Sequence, residues 1–383
     1  MRIRLIPSFA AALLALGIAS RAQADDKVNA VASFSILADM VKNVGGDRVV
    51  VTELVGPDGD AHEFDPTPAD AKKLAGADIF FVNGLGFEGW MERLETSSGF
   101  KGATVVASKG VKALTIEEDD EHLHGDVADD DDDHDEHAKG EDHDDDEHED
   151  HAKGEDHDHD EHAKGEDDDH DHEDHAKGED DDHDHEEHAK GEDHDDEHAE
   201  AHHHHHHGGT DPHAWQDLAN GEIYVANIRD GLIAADPDGK AVYEANAEKY
   251  LAALKKEDAA VKAAIGALPQ SHRRIITSHD AFGYFGEAYG LEILAPEGIS
   301  TASEPSAKDV AKIIRQIRED KIPAVFMENI TNPKMLEQIA KESGAKIGGT
   351  LYSDALSAKD GPAPTYLDMF KHNVGTLTAA LSS

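Results

Sequence analysis

Between residues 129 and 207 the chain contains no Ile, Leu, Val, Met, Phe, Tyr or Trp. A stretch with nothing to bury cannot offset the entropy of ordering its backbone, so a disordered insert is expected here. The wider segment 117–209 holds 46 of the 84 acidic residues, five Lys and 24 of the 29 His. It is a degenerate repeat: His-Ala-Lys-Gly-Glu-Asp begins at His137, His151, His162, His175 and His188, and the segment closes on His202–His207. The irregular spacing of the copies argues against a stacked solenoid. Any fold must therefore be built from the residues on either side.

The formal net charge is -49, but the remainder of the chain carries only -8 of it and five His. Charge of this sign repels nucleic acid and anionic membrane surfaces, so neither is expected as a partner. Cys is absent, which excludes disulfides, thiolate nucleophiles and Cys-rich zinc sites. A bound metal has to be held by imidazole and carboxylate. At the N-terminus, Arg2 and Arg4 precede an apolar run from Leu5 to Ala19, and Ala22-Gln23-Ala24 fits a small-x-small cleavage site. This reads as an export signal over 1–24, with no Cys behind it for a lipid and no later apolar run long enough to insert into a membrane. The expected location is the periplasm.

Removing the 24 leader residues and the 93 insert residues leaves 266, enough for two ordinary domains. Before the insert, strand signals at Val28–Phe34, Asp47–Val55, Ile79–Asn83 and Thr104–Ala107 alternate with helical stretches at Ser35–Val44, Pro68–Ala77 and Phe87–Thr96. Alternation of this kind predicts a parallel sheet flanked by helices. After Asp236-Pro237, an N-cap followed by Pro, the residues Tyr243, Tyr250, Leu254, Val261, Ile265 and Leu268 recur at helical spacing. They predict one helix of about 30 residues, roughly 45 Å long. Alternation resumes beyond Pro269. The expected architecture is α/β: a first lobe over 25–235 carrying the insert 117–209, a rigid linking helix over 236–268, and a similar second lobe over 269–383.

Gly84-Leu85-Gly86-Phe87-Glu88-Gly89 has the spacing of a dinucleotide loop. However, the strand after it runs into Ser108-Lys109-Gly110 without the acid that would hold a ribose, so a tight turn is the better reading. No Walker A loop or nucleophile elbow occurs, and His62-Glu63 meets Pro66 where a zinc protease needs its second His. Enzyme chemistry has little support.

Of the five His outside the insert, His272 and His372 read as surface residues. The other three, His62, His213 and His279, lie at element ends beside turn residues, where α/β folds bind ligands. A fourth ligand should be a carboxylate on the second lobe, and Asp354, just past Tyr352, is the natural candidate. The motifs His62-Glu63-Phe64-Asp65-Pro66-Thr67-Pro68, Asn83-Gly84-Leu85-Gly86-Phe87-Glu88, Asp211-Pro212-His213-Ala214-Trp215 and Ser278-His279-Asp280-Ala281-Phe282 follow in order. Gly298-Ile299-Ser300, Glu304-Pro305-Ser306 and Tyr352-Ser353-Asp354 complete the series. Together they resemble the metal-binding solute receptors of zinc/manganese ABC importers, in particular the periplasmic zinc branch.

The resemblance implies two lobes joined by a long helix, with one metal in the cleft held by His62 and His213 from the first lobe and His279 and Asp354 from the second. Water or Glu328 are alternatives to Asp354 as the fourth ligand. Manganese-type relatives tend to carry Glu at the third position, so His279 points to Zn2+; three imidazoles and one carboxylate suit tetrahedral zinc. The implied function is capture of Zn2+ by a monomer and delivery to an ABC permease of the inner membrane. Additional weak Zn2+ sites are expected in the insert. Rival readings are a manganese-type receptor, a zinc-dependent hydrolase and a periplasmic metal buffer.

Overall fold

The computed structural model describes residues 27–115 and 209–382; the expected leader and nearly all of the insert lie outside the described residues. The hydrophobic runs before the insert form β1 Val28–Phe34, α1 Ser35–Gly45, β2 Val49–Val55, α2 Pro68–Ala75, β3 Ile79–Val82, α3 Met91–Ser98 and β4 Ala103–Val106. After it come α4 Leu218–Ala235 and α5 Lys240–Gly266, then β5 Arg274–Ile276, α6 Gly283–Tyr289 and β6 Glu292–Leu294. The chain closes with α7 Ala307–Asp320, β7 Ala324–Glu328, α8 Pro333–Ser343, β8 Lys346–Leu351 and α9 Tyr366–Leu381.

The strands make two four-stranded sheets, ordered β2-β1-β3-β4 and β6-β5-β7-β8, and every pairing is parallel. The two lobes therefore repeat one topology. Strand β1 is central, with Val28 opposite Val49 and Phe34 opposite Val55, and all its residues except Asn29 are buried. That is why its sequence is an apolar run rather than an alternation. In each sheet the strand order reverses beside the first strand, which leaves a crevice at the carboxyl ends of the strands.

Local chemistry sets the helix starts. Thr67 and Asp70 form a reciprocal capping box ahead of α2, with Pro68 in the first turn. Ser306, Asn332 and Thr365 each accept a backbone N–H from the first turn of α7, α8 and α9, contacts worth about 1 kcal/mol apiece. At α5 the expected start shifts. Pro237–Gly239 form a short 3-10 turn, and the α-helix proper runs for 27 residues from Lys240. Asp236 is occupied as an anchor: it takes Arg48 at 2.8 Å, the Tyr243 hydroxyl at 2.6 Å and Gly239 N–H at 3.2 Å.

Tyr243, Ala247, Tyr250, Leu254, Val261 and Ile265 form the buried stripe of α5. The helix packs on α1 and α4 of the first lobe and on α6 and α9 of the second. One hydrophobic core consequently runs through both lobes. A smaller, separate core of Ile276, Ile313, Ile314, Ile317, Leu336 and Ile339 lies under α7 and α8.

Two sequence expectations need correction. Helix α3 begins at Met91, not Phe87: Gly84, Leu85 and Gly86 turn with φ of 86°, 56° and 83°, and Glu88 folds back to accept the N–H groups of Asn83 and Gly84. Gly84 is required on a second count, since a Cβ there would lie 2.5 Å from Val106 Cγ1. His272 and His372 are half-buried rather than fully exposed. Each places a ring nitrogen on a backbone carbonyl, that of Leu381 at 2.7 Å and that of Thr350 at 3.0 Å.

Candidate metal centre

The Gly84–Gly89 turn serves its own carboxylate. Buried Glu88 accepts the N–H groups of Asn83 at 2.6 Å and Gly84 at 3.1 Å, and the Ser33 hydroxyl at 2.7 Å. Donors that a phosphate would need are already used, so this is a structural turn. It carries Phe87 inward, where its ring packs edge-on against His62 with centroids 4.8 Å apart.

His62, His213, His279 and Asp354 converge from four separate loops, all past the carboxyl ends of strands. His62 follows β2, His213 follows β4 and the insert, His279 follows β5 and Asp354 follows β8. One donor atom from each lies within 4.8 Å of the others. His62 Nε2 is 3.2 Å from His213 Nε2 and 3.2 Å from Asp354 Oδ2. Asp354 Oδ2 is 3.1 Å from His279 Nε2 and 3.6 Å from His213 Nε2. Tetrahedral coordination at 2.0–2.1 Å sets ligand atoms ~3.3 Å apart, so this spacing suits one small divalent cation.

The rings are held from behind. Asp211 Oδ1 lies 2.8 Å from His213 Nδ1 and also accepts the His213 N–H at 2.9 Å. Glu328, at the end of β7, puts Oε2 2.7 Å from His279 Nδ1, while its Oε1 accepts the N–H groups of Ser278 and His279. A carboxylate at Nδ1 keeps the proton there and leaves Nε2 as a lone-pair donor facing the centre. Glu328 thus stands behind His279, outside the group of four converging donor atoms. Glu63 is exposed beside the cluster.

Burial opposes charge throughout, yet the charged partners prevail. Desolvation favours a neutral His213, but the carboxylates of Asp354 and Asp211 push it up to about 9. His279 is likewise raised well above the ordinary imidazole range by Glu328 and Asp354 in spite of its burial. Against its own desolvation, Asp354 is held well below the usual carboxylate range by His213 and His279. Its second oxygen, Oδ1, is buried without a hydrogen-bond partner. A buried carboxylate with a spare oxygen among three imidazoles is a site that can hold a cation.

The bracing residues were only partly legible. Asp211 stands two residues before His213 and could have been singled out as the acid of an Asp-Pro-His turn. The sequence offers Glu328, 49 residues from His279, only as an alternative fourth ligand; its place behind His279 is set by tertiary packing. The interlobe ties around the site gave no sequence signal. Trp215 Nε1 and Gln216 Nε2 both donate to the Ser353 carbonyl, at 3.0 and 2.7 Å, locking the His213 turn to the Asp354 loop.

Two repeated α/β lobes with buried imidazole and carboxylate donors meeting at their strand ends define a metal-binding receptor. A family model, zinc-uptake complex component A periplasmic (ZnuA), matches residues 30–380, and the chain belongs to this family of periplasmic solute receptors of ABC importers. The chain is 30% identical to the manganese-binding lipoprotein MntA of Halalkalibacterium halodurans, across 92% of this chain and 88% of that one. It is 27% identical to the iron-binding protein YfeA of Yersinia pestis, across 92% and 85% respectively. Its fold superposes on the periplasmic zinc binding protein TroA of Treponema pallidum with a TM-score of 0.67, at 25% identity, covering 93% of this chain and 100% of that one. The protein is a periplasmic metal-binding receptor for ABC import, not an enzyme, and an inner-membrane permease is its implied partner. These relatives are named for manganese, iron and zinc, so kinship alone does not fix the metal.

Proposed function

We propose that the protein captures Zn2+ as a monomer and delivers it to its permease, with His62, His213, His279 and Asp354 as the four ligands. The observation that carries this reading is the donor set itself: three Nε2 atoms and one carboxylate oxygen, with four of their pair distances between 3.1 and 3.6 Å. That is a compact tetrahedron of borderline-soft ligands. The third imidazole is the discriminating group, because a harder carboxylate in its place favours Mn2+. Competition titrations of Zn2+ against Mn2+ and Fe2+ test the reading, using the unmodified chain and His279→Glu. The substitution should weaken Zn2+ and relatively improve Mn2+. Unchanged relative affinities would remove His279 from the ligand set.

A second reading, a manganese-type receptor, is favoured by one feature. If Asp354 Oδ1, buried and unpartnered, also bound the ion, the site would become five-coordinate and more oxygen-rich. A preference for Mn2+ in the same titration would select it.

A further inference from the structure

The three imidazoles are not equally secured. His213 and His279 each have a carboxylate at Nδ1, from Asp211 and Glu328 of their own lobes. Among the described residues, no carboxylate braces the Nδ1 of His62. Its loop, residues 56–66, contains no helix or strand.

Two ties hold this loop within its own lobe: Trp90 Nε1 donates to the Ala61 carbonyl at 2.9 Å, and Phe87 packs on the His62 ring. The others come from the opposite lobe. Asp58 adopts φ 54°, a left-handed conformation that Asp tolerates better than most non-glycine residues. Its N–H donates to the Leu356 carbonyl at 2.9 Å, and its Oδ1 accepts Asn329 Nδ2 at 3.1 Å. Two residues on, Asp60 uses both oxygens. Oδ1 accepts the N–H of His62 at 2.8 Å and, more weakly, that of Glu63 at 3.4 Å. Oδ2 accepts the Thr301 hydroxyl at 2.6 Å. Thr301 lies between β6 and α7 in the second lobe. One carboxylate therefore joins the backbone of a candidate ligand to the facing lobe.

We propose that Asp60 and Thr301 form an interlobe latch that positions His62 at the metal centre and governs how long the metal stays. The proposal rests on the four-donor reading of the site. If the segment between β6 and α7 moves away, Asp60 loses one of its two ties and His62 is left to the contacts of its own lobe alone. His213 and His279 keep their braces. Release then begins at His62, and a permease that displaces the Thr301 segment opens the site without unfolding either sheet.

The test compares Thr301→Val, which keeps the shape and removes the hydroxyl, with Thr301→Ser, which restores it. Full-length protein carrying one tightly held Zn2+ per chain is chased with excess EDTA, and the released ion is followed with a zinc-sensitive dye. Thr301→Val should release Zn2+ roughly tenfold faster, the scale of one lost hydrogen bond to a carboxylate. Thr301→Ser should stay within about twofold of the unmodified chain, and any metal-free stability lost in Thr301→Val should return in Thr301→Ser. Unchanged release from Thr301→Val overturns the latch. So does faster release accompanied by an equal loss of metal-free stability that Ser does not restore, since that is a structural role. If the unmodified chain retains no tight Zn2+, the site reading fails and the latch with it.

Discussion

Glu328 grips His279 at two points: its Oε2 lies 2.7 Å from the ring Nδ1, and its Oε1 accepts the backbone N–H of the same residue at 2.9 Å. The backbone position of His279 is thus fixed by one side chain, whose second carboxylate oxygen, lying close to Nδ1, favours the proton on that nitrogen. Glu328→Gln retains the size but presents an amide that cannot accept at both places. An NH2 facing Nδ1 makes that nitrogen an acceptor and moves the proton to Nε2, where it blocks the metal. The variant should fold with near-normal thermal stability and bind Zn2+ about 10–100-fold more weakly. Calorimetric titration checks the affinity, and an affinity within twofold of the unmodified chain would show that the tautomer does not depend on Glu328.

Loading should be pH-dependent because His213 is raised to about 9 by Asp354 and Asp211. Below that pH the metal-free site keeps a proton that the cation must displace. Affinity should fall by roughly tenfold per pH unit for each proton released. The sign for stability of the metal-free protein follows. A folded-state value above the unfolded one, 6.5, gives stabilisation that is complete below pH 6.5 and lost as pH rises through about 9. Melting temperatures of metal-free protein should therefore decline between pH 6.5 and 9, while those of Zn2+-loaded protein should not.

The strands were the legible part of the sequence, for a physical reason. Ile79–Val82 is buried on both faces, so it appears as an unbroken apolar run bounded by Asp78 and Asn83. The four residues proposed as ligands, His62, His213, His279 and Asp354, stand out in the sequence because they sit next to turn residues at the ends of such runs. The start of α3 is hidden because Glu88 folds back on the Asn83 and Gly84 N–H groups across a turn of three positive-φ residues, one of them Leu85. The partners of His272 and His372, the carbonyls of Leu381 and Thr350, leave no sequence signal because they are reached only through tertiary packing. The same holds for Asp60 and Thr301, 241 residues apart. Periodicity reports what one element buries, not which loop meets which across a cleft.

Asp39 offers a stability test away from the metal. Its Oδ2 accepts the Tyr366 N–H at 3.0 Å and the Tyr250 hydroxyl at 3.5 Å, tying α1 to α9 and α5. Burial raises its carboxyl to about 6 from 3.8. The stabilising contribution of the protonated form is complete below pH 3.8 and lost as pH rises through about 6. At neutral pH the ionised group is a cost. Asp39→Asn keeps an acceptor for both donors and removes that cost. It should add about 1 kcal/mol at pH 7, a value reduced because solvent screens this half-buried position, and add little at pH 4. Urea unfolding at the two pH values checks it, and a loss of stability at pH 7 would mean the charge is needed at the junction.

The last prediction concerns the insert, whose chain ends are adjacent. Thr115 and Thr210 form an antiparallel bridge, and Asp211 N–H donates to the Leu114 carbonyl at 2.9 Å. Tyr284 of the second lobe accepts the Leu114 N–H at 3.0 Å and donates to the Asp211 carbonyl at 3.1 Å. The junction is therefore fixed by the folded lobes, one residue from the acid that braces His213. Replacing residues 117–209 with a short Gly linker should leave the fold, the melting temperature and one tight metal site intact. Because the deleted segment carries 24 His among 46 acids, it should remove several weaker Zn2+ sites. In the full chain those sites should vanish on mild acidification as the imidazoles protonate. Titration calorimetry of both proteins at pH 7.5 and pH 5.5 checks the count. A single site in both proteins would deny the insert a role in acquisition, and loss of the tight site on deletion would place one of its ligands within 117–209.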